Sequence, residues 1–147
     1  MNGPPRSIDP DREMYAAAMK AGEAIGEIVM LNLLRFRAQA AYPDGSGHTP
    51  CSGREAYGRY ARAALEYING VGGEVIWSGR GVAPVIAPPD EHWDSVFLVR
   101  YPGAAAFREM VTNPDYQQHT VHRTSALEDA RLVMLEPGRL PGAPPDA

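Results

Sequence analysis

The densest set of reactive side chains in this 147-residue sequence lies between Asn113 and Leu127: Tyr116, His119, Thr120, His122 and Arg123. At helical spacing Tyr116, His119, Thr120 and Arg123 share one face, and His122 lies on its border. Histidine is the natural general base near neutral pH, and an arginine holds a carboxylate through paired N–H donors. The pattern suits proton transfer beside a carbonyl, with His119 or His122 taking the proton. The simpler reading of the same pattern is a surface helix with solvated histidines. The His-x-x-His spacing also places two metal ligands on one face, but a zinc centre needs a third. Only Glu109 or Asp129, recruited through space, would supply one. Neither a metal nor a cofactor is expected.

Other candidates stand apart in sequence. Asn32 interrupts the apolar run Ile28-Val29-Met30-Leu31-Asn32-Leu33-Leu34. It is either a buried amide satisfied locally or a donor to a ligand carbonyl. Tyr57 and Tyr60 fall on the apolar stripe of a helix, where a tyrosine packs its ring and sends its hydroxyl to a partner. Tyr60 could present that hydroxyl to a pocket and donate to an oxyanion. Trp77 faces out of a strand, as a packing residue or a ligand contact. The candidate ligand-binding set is therefore Asn32, Tyr60, Trp77 and Arg123, and the candidate catalytic pair is His119 and His122. Cys51 is the only cysteine and sits in a loop, a poor setting for a nucleophile. There is no phosphate-cradling loop, dinucleotide fingerprint or Gly-x-Ser-x-Gly elbow.

The elements that must position these groups are legible in the pattern of residues. Asp9-Pro10 opens a helix from Asp11 to about Gly22. Ile28–Leu34 is apolar on both faces, as a strand covered on both sides must be. A long polar loop, Arg37 to Cys51, follows; loops of this length are often functional. Ser52-Gly53-Arg54-Glu55 is a capping box, and Tyr57, Tyr60, Ala61, Ala64, Ile68 and Val71 form the stripe of the helix it starts. Gly70, Gly72 and Gly73 stop that helix. Val75–Trp77 reads as a second strand, Gly79–Gly81 as a turn, and Val82–Ile86 as an irregular edge strand limited by Pro84. Ser95–Val99 reads as a third main strand. A short helix runs through Phe107, Met110 and Val111, another continues from Asn113 to about Leu127, and Arg131–Leu135 closes the fold. Arg35, Arg100 and Arg131 are expected to pair with Asp94, Asp129 or Glu136.

This order predicts an α+β ferredoxin-like βαββαβ sandwich with an antiparallel sheet and an extra N-terminal helix. Helices cover only one face of such a sheet, yet both faces are apolar, so a second copy is expected to cover the other and complete a dimeric α/β barrel. The boundaries are 1–26 for an N-terminal tail and helix, 27–136 for the barrel domain, and 137–147 for a flexible C-terminal tail. Residues 1–7 belong to the expected mobile ends.

Several stretches carry a resemblance: Val29–Phe36, Tyr60 with Gly72-Gly73, Trp93-Asp94, Tyr101-Pro102 with Phe107, Asn113-Pro114-Asp115-Tyr116, and His122-Arg123. Over roughly residues 27–136 the chain resembles domain-of-unknown-function family 1330, of the dimeric α/β-barrel superfamily. The resemblance implies the fold and the dimer but no reaction, because that superfamily includes cofactor-free oxygenases, lactone isomerases, cyclases and haem enzymes. The N-terminal helix and the long loop look like additions found in part of the family.

Composition narrows the classes further. An apolar fraction of 44% with 22% charged residues is that of a globular domain. A net charge of −4 without a basic stripe argues against a nucleic-acid partner. No run approaches the ~20 apolar residues of a membrane helix, and no signal-peptide core opens the chain, so a cytoplasmic protein is expected. Arginine in place of lysine, with abundant Ala, Gly and Pro, suggests a bacterial source. Two functions stay open at this level. One is a homodimer with a pocket for a small, partly apolar metabolite and cofactor-free isomerase, cyclase or oxygenase chemistry. The other is a non-catalytic ligand-binding or accessory protein.

Overall fold

A computed structural model describes residues 6–144; the expected mobility of residues 1–5 and 145–147 falls outside the described residues. Helix α1 (Arg12–Glu23) begins where the Asp11 carboxylate accepts from the Met14 N–H at 2.9 Å. Asp11, not Asp9-Pro10, is therefore the cap. Strand β1 (Ile28–Phe36) follows, then helix α2 (Gly53–Gly70), whose Ser52 side chain accepts from the Glu55 N–H at 3.1 Å. The hydroxyl also donates to the Glu55 carboxylate, so the Glu does not reach back to the cap's own N–H. Gly72 adopts φ +83° just beyond the helix, a left-handed turn that glycine enters without steric cost.

Strand β2 (Glu74–Arg80) and strand β3 (Ser95–Tyr101) pair antiparallel. The expected return strand at Val82–Ile86 does not form. Pro84, Pro88 and Pro89 lack the N–H groups a ladder needs, and residues 82–94 make a loop on which Val82, Val85 and Ile86 are each more than nine-tenths exposed. The expected helix from Asn113 to Leu127 is two short ones. After α3 (Ala104–Val111), Asn113 caps α4 (Pro114–Gln117), and α5 (Thr120–Ala126) starts afresh after a break at Gln118 and His119. Strand β4 (Leu127–Leu135) then runs four residues earlier than its apolar core alone suggests.

Among the described residues the four strands form one antiparallel sheet in the order β2–β3–β1–β4. With α2 and α3–α5 as the crossovers, this is the ferredoxin-like βαββαβ arrangement, and α1 is added at the front. Register assigns the faces. Ile28, Met30, Asn32 and Leu34 of β1 lie beside Tyr101, Val99, Phe97 and Ser95 of β3. All of these share the helix-covered face, where Ile28, Met30, Tyr60, Ile68, Val99, Phe107 and Tyr116 make the main core. A smaller core under the long loop joins Leu34, Cys51, Ala56, Ala126 and Leu127.

The opposite face carries Val29, Leu31 and Leu33 with Val96, Leu98, Val133 and Leu135, together with Trp77. No described helix lies over it. The arginine pairings also differ from expectation. Arg35 meets Glu128 at 3.1 Å, and Arg100 meets Glu27 at 3.3 Å and Glu74 at 3.2 Å. Only Arg131 finds an expected partner, Asp129 at 2.6 Å. Asp94 instead accepts the Phe36 N–H at 2.8 Å, which ties the start of β3 to the end of β1.

Candidate functional site

Between the helix face of the sheet and α2, α3, α4 and α5 lies a cavity of about 880 Å³, the size range of small-molecule sites. Its floor is the sheet. Asn32 sits at the centre of the middle strand, with Phe97 on one side and Leu132 on the other. Ser78 and Ser95 add hydroxyls along the β2–β3 side. Its roof is aromatic: Tyr57 and Tyr60 from the stripe of α2, Tyr116 from α4, with Tyr101 and Phe107 deeper in. Asp9 and Pro10 border one end, beside Arg123 and Thr124.

The central polar feature is a pair of phenols. The Tyr60 and Tyr116 hydroxyls are 2.5 Å apart, both side chains are buried, and Tyr57 packs its ring 5.3 Å from Tyr60. Burial pushes the Tyr60 phenol well above its ordinary range, and the neighbouring Tyr116 and Tyr57 add to that; Arg123 opposes it weakly. Tyr116 is also raised by burial, with the hydrogen bond from Tyr60 and the Arg123 charge pulling the other way. Both groups therefore stay protonated through neutral pH. With one proton engaged between the two oxygens, the second is a donor for a bound acceptor.

Arg123 is the cation of the pocket. It donates to the Ile8 carbonyl at 2.6 Å and lies 3.9 Å from the Asp9 carboxylate, which itself accepts from Thr124 at 2.8 Å. The N-terminal segment is thereby tied to α5, and the Ala130 N–H to Ser7 carbonyl bond at 2.7 Å holds it along β4. Asn32 makes one weak contact of its own, Nδ2 to the Met30 carbonyl at 3.3 Å, which leaves most of its hydrogen-bonding capacity to the cavity.

Asn32, Tyr60 and Arg123 thus line one cavity, and the other three sequence candidates do not. His119 is the residue before α5, and its ring lies 5.8 Å from that of Tyr67. Tyr116, Thr120 and Arg123 keep the i, i+4, i+7 relation of one face and reach the pocket, while His119, at the break between α4 and α5, does not line it. His122 lies on the far side of α5, where its Nδ1 is 2.7 Å from the Tyr42 hydroxyl. Trp77 is 55% exposed on the opposite sheet face, across from Leu98, because a register shift between Val75 and Trp77 reverses the alternation of β2.

Sequence reasoning missed Tyr116 as the partner of Tyr60, and Asp9, Ser78, Ser95 and Phe97 as wall residues. The alternation Ser95, Phe97, Val99 along β3 was a readable signal for one face. Nothing local brings α4 over α2, which depends on how the second crossover packs.

Comparisons with known proteins agree with this architecture. A family model described as a domain of unknown function (DUF1330) matches residues 47–137. The crystal structure of RPA0582, a protein of unknown function from Rhodopseudomonas palustris, is 42% identical; the alignment covers 92% of this chain and all of that one, with a TM-score of 0.83. The methylated RPA0582 structure gives 43% identity, 94% and 98% coverage and a TM-score of 0.84. An uncharacterised NIPSNAP domain protein from Burkholderia xenovorans shares 18% identity over 81% of this chain and 99% of its own, with a TM-score of 0.51. None of the curated proteins compared with the chain matches it.

Proposed function

From the premise that the chain belongs to the DUF1330 family of unknown function, we propose that it binds a small, partly apolar compound bearing a carbonyl or carboxylate. The site is the cavity between sheet and helices. The observation that carries this reading is the Tyr60–Tyr116 pair, two protonated phenols in an aromatic cavity of about 880 Å³. A buried donor pair over an apolar floor fits an oxygen acceptor attached to a hydrophobic body. Asn32 supplies an amide on the floor, and Arg123 supplies positive charge for a carboxylate at the Asp9 end.

The working unit is a homodimer formed through the open sheet face. What supports this is the continuous apolar set Val29, Leu31, Leu33, Val96, Leu98, Val133 and Leu135, with no described helix against it. No described helix is long and apolar enough to cross a membrane.

Cofactor-free proton transfer is the second reading, favoured by the same phenol pair, which has the chemistry of an oxyanion-stabilising donor. With His119 and His122 on other surfaces, the base in this version is Asp9, the carboxylate that lines the pocket.

The test is a titration with benzoate and hexanoate followed by NMR. The reading predicts saturable shifts at Phe97, Tyr101 and Tyr116, with affinity about tenfold weaker in Tyr60→Phe. Absence of saturable shifts at these residues with both probes would contradict it.

A further inference from the structure

The long loop and the outer sides of α2 and α5 gather a second polar cluster that the pocket does not use. Arg59 NH1 donates to the Tyr42 hydroxyl and to the Thr49 carbonyl, both at 3.1 Å. The Tyr42 hydroxyl also lies 2.7 Å from His122 Nδ1. With the Tyr42 oxygen already accepting from Arg59, the arrangement suits a neutral His122 that accepts at Nδ1 and carries its proton on Nε2, a donor on the side away from Tyr42. His48 closes the group: its ring centroid is 4.8 Å from that of Tyr42 and 4.7 Å from that of His122. The Arg59 guanidinium also lies 5.5 Å from the Tyr42 ring centre.

Three basic side chains from three elements therefore stand together. Among the described residues none of them pairs with a carboxylate. Burial first, and then the charges of His48, Arg59 and His119, lower the proton affinity of His122. A negative charge in contact with the cluster would relieve that repulsion. A cation would meet the opposite field. Among the described residues, too, no group of three or more His, Cys, Asp or Glu side chains gathers to hold one.

We propose that Arg59, His48 and His122 form a binding site for a small oxyanion, above all a phosphate group. The Arg59 donors left free by Tyr42 and Thr49 supply charge-assisted hydrogen bonds, His122 supplies Nε2–H, and His48 supplies a ring N–H. The site draws the 37–51 loop, through Tyr42 and His48, onto α2 and α5. It stands independently of the pocket, because it shares no side chain with the lining of that cavity. The groups facing His122 are Tyr42 and His48 from the loop, Arg59 from α2 and His119 from the stretch before its own helix. All are neutral or basic, so none of them repels an anion at the cluster.

The experiment is a titration of the intact protein with inorganic phosphate at constant ionic strength, following the histidine ring C–H signals by NMR. The proposal predicts saturable shifts of His48 and His122 at one fixed pH. Arg59→Ala should weaken binding by about tenfold or more, while Arg62→Ala, one turn along the same helix, should leave it unchanged. Should Arg59→Ala disturb the amide spectrum, His48→Ala on the exposed loop gives the same comparison. Shifts that grow linearly without saturation, or equal losses in the Arg59 and Arg62 variants, would overturn the site.

Discussion

The hydroxyls of Tyr60 and Tyr116 meet at 2.5 Å although α2 carries one and α4 the other. That contact fastens the second crossover to the first and places a pair of bonded phenols in the main core against the sheet. Removing one hydroxyl strands the other in a buried setting, so Tyr60→Phe and Tyr116→Phe should each lower stability by about 1–1.5 kcal/mol. Urea unfolding of the two single variants and the double variant measures this. The double should cost less than the sum of the singles, since neither hydroxyl is then left without its partner.

The buried phenols also set an alkaline limit. Tyr57, Tyr60, Tyr101 and Tyr116 all have proton affinities raised chiefly by burial above that of a free tyrosine. A group whose folded pKa is raised contributes stability that is fully present below its unfolded value and lost as pH rises toward the folded one. The urea midpoint should therefore hold steady from about pH 7 to about pH 9 and fall above about pH 10, where unfolded tyrosines ionise. Tyr101→Phe should flatten that fall.

Two glycines sit where the neighbouring chain leaves no room for a side chain. A Cβ on Gly53 would lie 2.2 Å from the Arg37 carbonyl oxygen and 2.6 Å from that of Ala126, which are backbone atoms that cannot rotate aside. Gly53→Ala should cost about 3 kcal/mol. A Cβ on Gly22 would lie 2.5 Å from the Ala104 Cβ, so Gly22→Ala should loosen α1 from α3 at a cost of about 1–3 kcal/mol. Hydrogen exchange should then report opening confined to α1 in the Gly22 variant, but global destabilisation in the Gly53 variant.

The open sheet face yields a prediction of its own. Leu31 is half-buried on that face between Leu98 and Val133. A charge placed there in a symmetric pair would be buried twice, unpaired. Under the proposed dimer, light scattering should give a dimer for the unaltered chain and a monomer with its fold retained for Leu31→Asp.

The capping box at Ser52, the stripe of α2 and the two-faced apolar run of β1 made most of this fold legible, because each is a local pattern with one structural solution. The pocket was half legible. Asn32 and Tyr60 declare themselves as polar groups on apolar elements, and Arg123 keeps its helical relation to Tyr116 and Thr120. His119 was misplaced because nothing between Asp115 and Thr120 announces the break that separates α4 from α5. Trp77 was misplaced because a strand's alternation cannot be read through a register shift. The meeting of Tyr42, His48 and His122 was beyond reach, since it depends on how a 15-residue loop, held by bonds such as Ala41 N–H to the Ser125 carbonyl, folds back on α5.

The site assignment separates cleanly from the histidines. His119→Ala and His122→Ala should leave benzoate and hexanoate binding within about twofold of the unaltered protein, while Arg123→Ala should weaken the carboxylate probes by about tenfold or more. The same NMR titration reads all three.

Native mass spectrometry of the gently purified protein, beside Ala61→Trp, tests the central claim most directly, because a tryptophan at Ala61 fills the cavity from α2. The account predicts one small molecule per chain, either carried through purification or restored by added benzoate or hexanoate, and none on the Ala61→Trp protein. A bare chain that takes up neither probe, or an adduct that persists unchanged in Ala61→Trp, would contradict it.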